Sequence, residues 1–371
     1  MTSTGLLPEG LRDRLPPQAE AASRLLHRVI VAIGRNGYAR VAPPIAEYED
    51  ELVGRLKRTR ARDLFRLIDP VSQRTLAFRP DITAQLGRIA ATRMAHRPRP
   101  LRLGYGGPVL KLRASQLRPQ RELIQAGAEL IGSDSVAAAS EVLGVAIEAL
   151  EVAGVTGLTI DLTLPDLVEA LAAGPLPLPP GRIEAVQAAL DAKDAGGLGP
   201  LGAEAYLPLI EAAGPLEAAL ARLRALPFAD VLASRLDGVE AIGRAFAGRA
   251  ALTLDPTERH GFEYQSWLGF SLFAEGLAGE VGRGGTYAIH RADGQEEPAV
   301  GFSLYLDPLV DAGLGQEARR HVFVPHGSDP VAAAALRTAG WTTLAALSPD
   351  DAAPKGCTHI LRDGAPFPIE G

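Results

Sequence analysis

At 371 residues the chain is longer than one ordinary hydrophobic core serves, so two or more packed units are expected. Hydrophobic residues make up 47% and charged residues 22%, which excludes a disordered chain, and 38 Lys and Arg against 44 Asp and Glu give a net charge of −6, which argues against a tRNA or DNA binder. The single cysteine, Cys357, cannot form an internal disulfide, no Cys/His cluster has metal-ligand spacing, and no run approaches the roughly 18 apolar residues of a membrane span. The first residues lack a basic segment leading into an apolar run, so a cytoplasmic location is expected.

Residues 18–35 place Leu25, Leu26, Val29, Ile30 and Ile33 at helical spacing, and Asn36-Gly37 supplies the stop. A strand over 38–41 follows, then two short β runs at 64–69 and 75–78 and a helix over 81–94. Residues 99–105, 108–113 and 121–131 form a strand-rich block broken by the polar segment 114–120, which reads as a hairpin around a loop. A helix over 136–154 and a strand over 157–162 precede a change in composition. From about 165 to 250 the chain alternates Ala/Leu-rich helical patterns with Gly/Pro breaks, the signature of an all-helical insertion. Strand character resumes at 251–254, 262–273 and 298–306. The tail from about residue 319 alternates strand, helix, strand and strand, a small α/β unit of some fifty residues.

Four segments, in order, resemble the landmarks of class II histidyl-tRNA synthetases. GYARVAPPIAE (37–47) resembles motif 1, a helix feeding a strand that ends in a proline, here Pro44. LAFRPDITAQLGRIA (76–90) is similar to the family segment Arg-Pro-Glu-x-Thr, with Arg79, Pro80, Asp81 and Thr83 in those places. PVLKLRASQLRPQRELIQAGAELIG (108–132) resembles motif 2 and its closing strand, through Gln125, Gly127 and Glu129. RHGFEYQSWLGFSLF (259–273) and PAVGFSLYLDPL (298–309) resemble the histidine signature and motif 3. The resemblance implies an α+β fold, an antiparallel sheet core over residues 1–318 interrupted by a helical insertion at about 165–250, with a truncated anticodon-like unit at 319–371.

Amino-acid activation needs groups that neutralise charge developing on the α-phosphate of ATP. Set against the family, the motif 2 arginine is Lys111, which gives up the bidentate fork, and the motif 2 glutamate is Arg113, of opposite sign. The signature arginine falls at His260, and motif 3 carries Tyr305 where a small residue sits beneath adenine and Asp307-Pro308 where Glu-Arg is usual. A degraded ATP site of Lys111, Arg113, His260, Tyr305 and Pro308, with no catalytic residue, is therefore expected. The amino-acid side is better kept. Asp81, Thr83, Gln125 and Glu129, with Glu263 and Tyr264, form a candidate histidine-binding set, although Gln265 stands where the family has a second tyrosine.

Plainer readings stand beside these. Asp81 and Thr83 can simply cap the following helix. Gln125 and Glu129 share one face of a strand and can form an internally satisfied polar patch. Lys111, Arg113, Arg118 and Arg121 can be an anion site or, more ordinarily, a solvated loop. Gly284 to Tyr287 reads as a structural turn. The resemblance is to the synthetase paralogues that act as regulatory subunits of ATP phosphoribosyltransferase. It implies a non-catalytic hetero-oligomeric partner of the short-form catalytic chain, self-association through motif 1, L-histidine as effector, and no cofactor, metal, nucleic acid or membrane. Two alternatives are a divergent histidine-activating ligase and a stand-alone amino-acid binding module.

Overall fold

The computed structural model describes residues 6–53, 64–113, 119–259, 265–291, 294–318 and 320–369. The chain divides into two compact units, Met1–Gly315 and Gln316–Gly371.

The first unit opens with α1 (Gln18–Arg35), whose buried stripe of Ala22, Leu25, Val29, Ala32 and Ile33 repeats at helical spacing, with Glu20 in the first turn and Arg35 in the last complementing the helix dipole. Next come β1 (Ala39–Arg40), β2 (Ala46–Tyr48), α2 (Glu49–Val53), β3 (Arg66–Ile68), β4 (Thr75–Phe78) and α3 (Thr83–Ala91). Strands β2, β4 and β3 form a small antiparallel sheet. The hairpin expected at 99–131 is present as two long strands, β5 (Leu101–Leu110) and β6 (Glu122–Ile131), paired from Leu101↔Ile131 to Leu110↔Glu122. One continuous strand stands where two pieces were expected, because Gly106, Gly107 and Pro108 stay extended against β6. Ser135 then caps α4 (Val136–Val152), its hydroxyl accepting from Ala138 N at 3.2 Å.

After β7 (Leu158–Thr163), the insertion runs through α5 (Leu167–Ala172), α6 (Pro180–Asp191), α7 (Ala195–Leu198), α8 (Leu207–Glu211), β8 (Gly214–Pro215), α9 (Leu216–Arg224) and α10 (Ala229–Phe246). It is not wholly helical: β8 pairs with β9 (Ala251–Leu254) and extends the main sheet. Then follow β10 (Gln265–Ala274), β11 (Gly282–His290), β12 (Glu296–Tyr305) and α11 (Asp307–Asp311). The expected turn at Gly284 to Tyr287 is instead the middle of β11, held between β10 and β12. Two adjacent glycines read locally as a turn, but here they admit neighbouring backbone and side chains.

The main sheet has nine strands in the order β1-β5-β6-β12-β11-β10-β7-β9-β8. Its two faces divide the core by strand alternation. Ala126, Ala128 and Leu130 of β6, with Val300, Phe302 and Leu304 of β12, pack under α1 and α4. The intervening residues, including Leu103, Tyr105, Tyr287 and Tyr305, face the opposite side with Ile82, Leu86 and Ala90. That second face carries the polar cluster described below. Among the described residues, no helix is long and apolar enough to cross a membrane.

In the second unit, β13 (His321–Val324) lies between parallel neighbours β14 (Thr342–Ala345) and β15 (His359–Arg362), and β16 (Ala365–Pro368) pairs antiparallel with β15. Val322, Val324 and Leu361 pack with Ala333 and Leu336 of α12 (Pro330–Thr338).

Candidate functional site

The site is built where the end of β4 meets β5, β6 and β12. Arg79 is buried and acts as a clamp: its Nε donates to Pro108 O at 2.8 Å and its Nη1 to Pro43 O at 2.9 Å. Gln85 donates to Pro44 O at 2.7 Å. The motif 1 proline segment, the entry to α3 and β5 are thereby fixed to one another.

Beyond the clamp the four described candidates converge. Asp81 accepts from Thr83 N at 2.7 Å and from Gln125 Nε2 at 2.6 Å, while Gln125 Oε1 accepts from Ile82 N at 2.9 Å. Gln125 Nε2 also donates to Ser303 Oγ at 2.7 Å. Thr83 Oγ1 donates to Glu129 Oε1 at 2.9 Å, and Tyr287 OH donates to Glu129 Oε2 at 2.7 Å. The Tyr105 hydroxyl bridges Ser303 Oγ, 2.8 Å away, and Phe302 O at 3.2 Å. Asp81 therefore serves the start of α3 and the polar cluster at once. Gln125 and Glu129 form an internally satisfied patch, and Glu129 also borders a recess.

Glu129 carries the unusual chemistry. It is fully buried, and the groups bonded to it are hydroxyls rather than cations. Burial pushes its pKa up to about 8, an effect that the Tyr287 and Thr83 hydroxyls oppose and the nearby Asp81 charge reinforces. Burial thus favours the neutral form of the acid. Burial, with the fields of Glu129 and Asp81, also raises the Tyr105 phenol well above its usual range. Its carboxyl has room only because its neighbour across the sheet is Gly301: a Cβ there would lie 1.5 Å from Glu129 Oε2. The cavity bordered by Asp81, Thr83, Glu129, Gln265, Tyr287 and Ser303 measures about 20 Å³, room for a water molecule but not for an imidazole ring.

The nucleotide-side residues are arranged differently. The Lys111 ammonium lies 5.1 Å from the centre of the Tyr305 ring, and Arg113 is exposed. Asp307 and Pro308 begin α11 and border a separate cavity of about 340 Å³ with Tyr305, Leu123 and Asp311. Asp307 is paired with Arg14 at 2.5 Å and accepts from Ile124 N at 2.8 Å, and Asp311 is paired with Arg12 at 2.9 Å. Among the described residues of the basic segment, Arg121 turns away to Glu9 O at 2.9 Å and packs over Phe65. His260, Glu263, Tyr264 and Arg118 lie outside the described residues.

Tyr105 and Ser303 belong to the cluster but were not singled out from sequence, and Tyr287 was assigned only to a turn. Each is two residues from another member of the same sheet face, as Ser303 is from Gly301 and Tyr305. That periodicity is visible in the sequence, but the register that aligns the strands is not.

Sheet topology and polar cluster together define a class II synthetase-like protein of the histidyl-tRNA synthetase type, and the histidyl-tRNA synthetase family profile matches residues 10–309. A solved structure from Bacillus halodurans C, described as an ATP phosphoribosyltransferase regulatory subunit/histidyl-tRNA synthetase, superposes with a TM-score of 0.78 at 23% identity, covering 93% of each chain. Histidyl-tRNA synthetase from Nostoc superposes at 0.75 with 17% identity, covering 93% of this chain and 86% of that one. Within this class, the chain belongs to the family of ATP phosphoribosyltransferase regulatory subunits. It is 42% identical to the protein of that name from Rhodospirillum centenum, over 98% of this chain and 96% of the relative, and 42% identical to the one from Paramagnetospirillum magneticum, over 96% of each.

Proposed function

We propose that this chain is the non-catalytic regulatory subunit of an ATP phosphoribosyltransferase, acting in the cytoplasm on histidine biosynthesis with a short-form catalytic chain. The observation that carries the reading is near full-length identity to relatives bearing that name, 42% over 98% of the chain. The nucleotide side supports it. Where a synthetase would stack adenine and neutralise phosphates, Tyr305 and Lys111 face each other, Pro308 supplies no guanidinium, and Asp307 and Asp311 add negative charge beside the cavity. Carboxylates already engaged by Arg14 and Arg12 are poor company for a triphosphate.

The amino-acid side is read as a histidine sensor. Asp81, Thr83, Gln125 and Glu129 offer acceptors for an ammonium group and a ring N–H, with Glu263 and Tyr264 assigned to the same set by resemblance. A recess of about 20 Å³ must open before histidine enters, so its affinity differs between closed and open states. Unequal affinity for two states is what an effector needs to shift an equilibrium. We assign self-association to the motif 1 region, where Pro43, Pro44, Glu47, Tyr48 and Arg88 border an open groove of about 740 Å³.

The test mixes the full chain with the short catalytic chain from the same source and measures phosphoribosyl-ATP formation with and without L-histidine. Activity confined to the mixture, and lowered by histidine, is the expected outcome. A mixture with no more activity than the catalytic chain alone overturns the reading, and histidine-dependent pyrophosphate exchange by this chain would point to a ligase instead.

A further inference from the structure

Helix α6 ends in a turn that disfavours the residue it uses. Lys193 N donates to Leu190 O at 3.0 Å and Asp194 N donates to Ala189 O at 2.8 Å, the two closing bonds of a Schellman cap, and Lys193 holds the left-handed position with φ +55°. Glycine is favoured there because a Cβ crowds the neighbouring carbonyl. Helices α1, α4, α11 and α12 do place glycine at that position, as Gly37, Gly154, Gly313 and Gly340, each with positive φ. A lysine held where glycine is favoured points to a role for its side chain.

That side chain crosses from the helical insertion to the chain leading into β10. Lys193 Nζ donates to Asp255 Oδ1 and to Thr257 Oγ1, each at 2.6 Å. The end of α6 holds the same turn at two more points: Asp191 Oδ1 accepts from Arg259 N at 2.7 Å, and the buried Thr257 hydroxyl lies 3.4 Å from Leu190 O. From the main sheet, Thr163 at the end of β7 donates to Glu258 O at 2.6 Å. Residues 255–259 are thus gripped by the insertion and by the sheet together. Acidic groups crowd this junction. Burial, with the charges of Asp161, Asp255 and Asp191, pushes Glu258 up to about 7, and burial raises Asp161 as well; Lys193 opposes both shifts. Without its ammonium the carboxylates of the two sides would repel one another.

We propose that Lys193 is a positioning residue that latches the helical insertion to the 255–259 turn, so that the response of the complex to histidine depends on the insertion being latched. The dependence on histidine rests on the sensor reading above, because the turn runs directly into the segment that contains Glu263 and Tyr264. Lys193 does not border the recess. It acts through the backbone: the bonds to Asp255 and Thr257 fix Glu258 and Arg259, from which residues 260–264 lead to Gln265 at the start of β10. Because the contacts from α6 converge on one short turn, the latch is made or released as a unit. Two such arrangements with unequal affinity for an effector are what coupling requires.

The experiment compares the wild-type chain with Lys193→Gly, which suits the left-handed turn, and Lys193→Met, which keeps a long side chain on the same backbone; the two variants share only the missing ammonium. Amide hydrogen exchange over residues 251–259 is followed in each full chain, and inhibition by L-histidine is measured in the complex with the catalytic chain. Both variants should exchange about tenfold or more faster at Thr257 and Arg259. Both should also raise the histidine concentration for half inhibition about fivefold or more. Unchanged exchange in both variants overturns the latch. Faster exchange with unchanged inhibition overturns the coupling and leaves Lys193 a structural clasp. A change in Lys193→Gly alone assigns the effect to the backbone turn and overturns the role of the ammonium. Absence of histidine inhibition in the wild-type complex removes the sensor reading, and the coupling with it, without reference to any variant.

Discussion

Tyr287 donates its phenolic hydrogen to Glu129 at 2.7 Å, and both side chains are buried. A tyrosine in place of a cation leaves the acid's desolvation largely uncompensated, which is why its pKa lies near 8 rather than 4.5. Because the folded-state pKa is raised, the folded chain holds a proton that the unfolded chain releases above about 4.5. The associated stability is fully present below that pH and is lost as pH rises through about 8. Glu129→Gln keeps the shape and neutrality. Thermal melts of variant and wild type should therefore diverge in favour of Glu129→Gln as pH is raised from 5 to 9, reaching roughly a few kcal/mol. Parallel curves over that range would mean that Glu129 is ionised throughout. Glu258, raised to about 7 by burial and by Asp161, Asp255 and Asp191, titrates in the same direction, so only the difference between the two proteins isolates Glu129.

Gly301→Ala tests whether the glycines of β11 and β12 are there for space. The new Cβ would meet Glu129 Oε2 at 1.5 Å and Ala128 O at 3.0 Å, the second being backbone that cannot swing away. A loss of about 3 kcal/mol is expected, comparable to overpacking a core. Glu129→Ala in the same chain should return part of it, because the larger clash is with that side chain. Additive losses in the double variant would place the strain on the backbone alone.

Elements with local signals were readable from the sequence. Helix α1 was expected at 18–35 and is found there, because its apolar stripe and Asn-Gly stop are local features. Strand β11 was missed because Gly284 and Gly285 carry no side chain to show alternation, and their reason for being glycine lies on β10 and β12. The same limit applies to the site. Asp81, Thr83, Gln125 and Glu129 were recognisable through family resemblance, but Tyr105 and Ser303 join them only through register.

Asp307→Ala probes the contact between the N-terminal stretch and α11. Asp307 is almost fully buried, and its carboxylate satisfies both the Arg14 guanidinium and Ile124 N. Removing it leaves a part-buried cation and a backbone donor without that partner, which should cost roughly 2–4 kcal/mol by denaturant unfolding. Arg14→Ala should cost less, because Asp307 keeps its bond from Ile124. The reverse order would show that Arg14, rather than the carboxylate, anchors the contact.

Asp81→Ala and Gln125→Ala separate sensing from activation. The two side chains are bonded to each other at 2.6 Å, and Gln125 also reaches Ile82 N and Ser303. Either truncation disturbs the recess on the α3 side of the main sheet. In the complex with the catalytic chain, both variants should raise the histidine concentration needed for half inhibition about tenfold or more, since each breaks the Asp81–Gln125 bond at the edge of the recess. Basal phosphoribosyl-ATP formation should stay within about twofold of wild type if the recess carries the effector and no part of the reaction. Loss of basal activity in variants that still fold and still bind the catalytic chain would tie the recess to activation. Unchanged inhibition by both variants would move the histidine sensor away from Asp81 and Gln125 altogether.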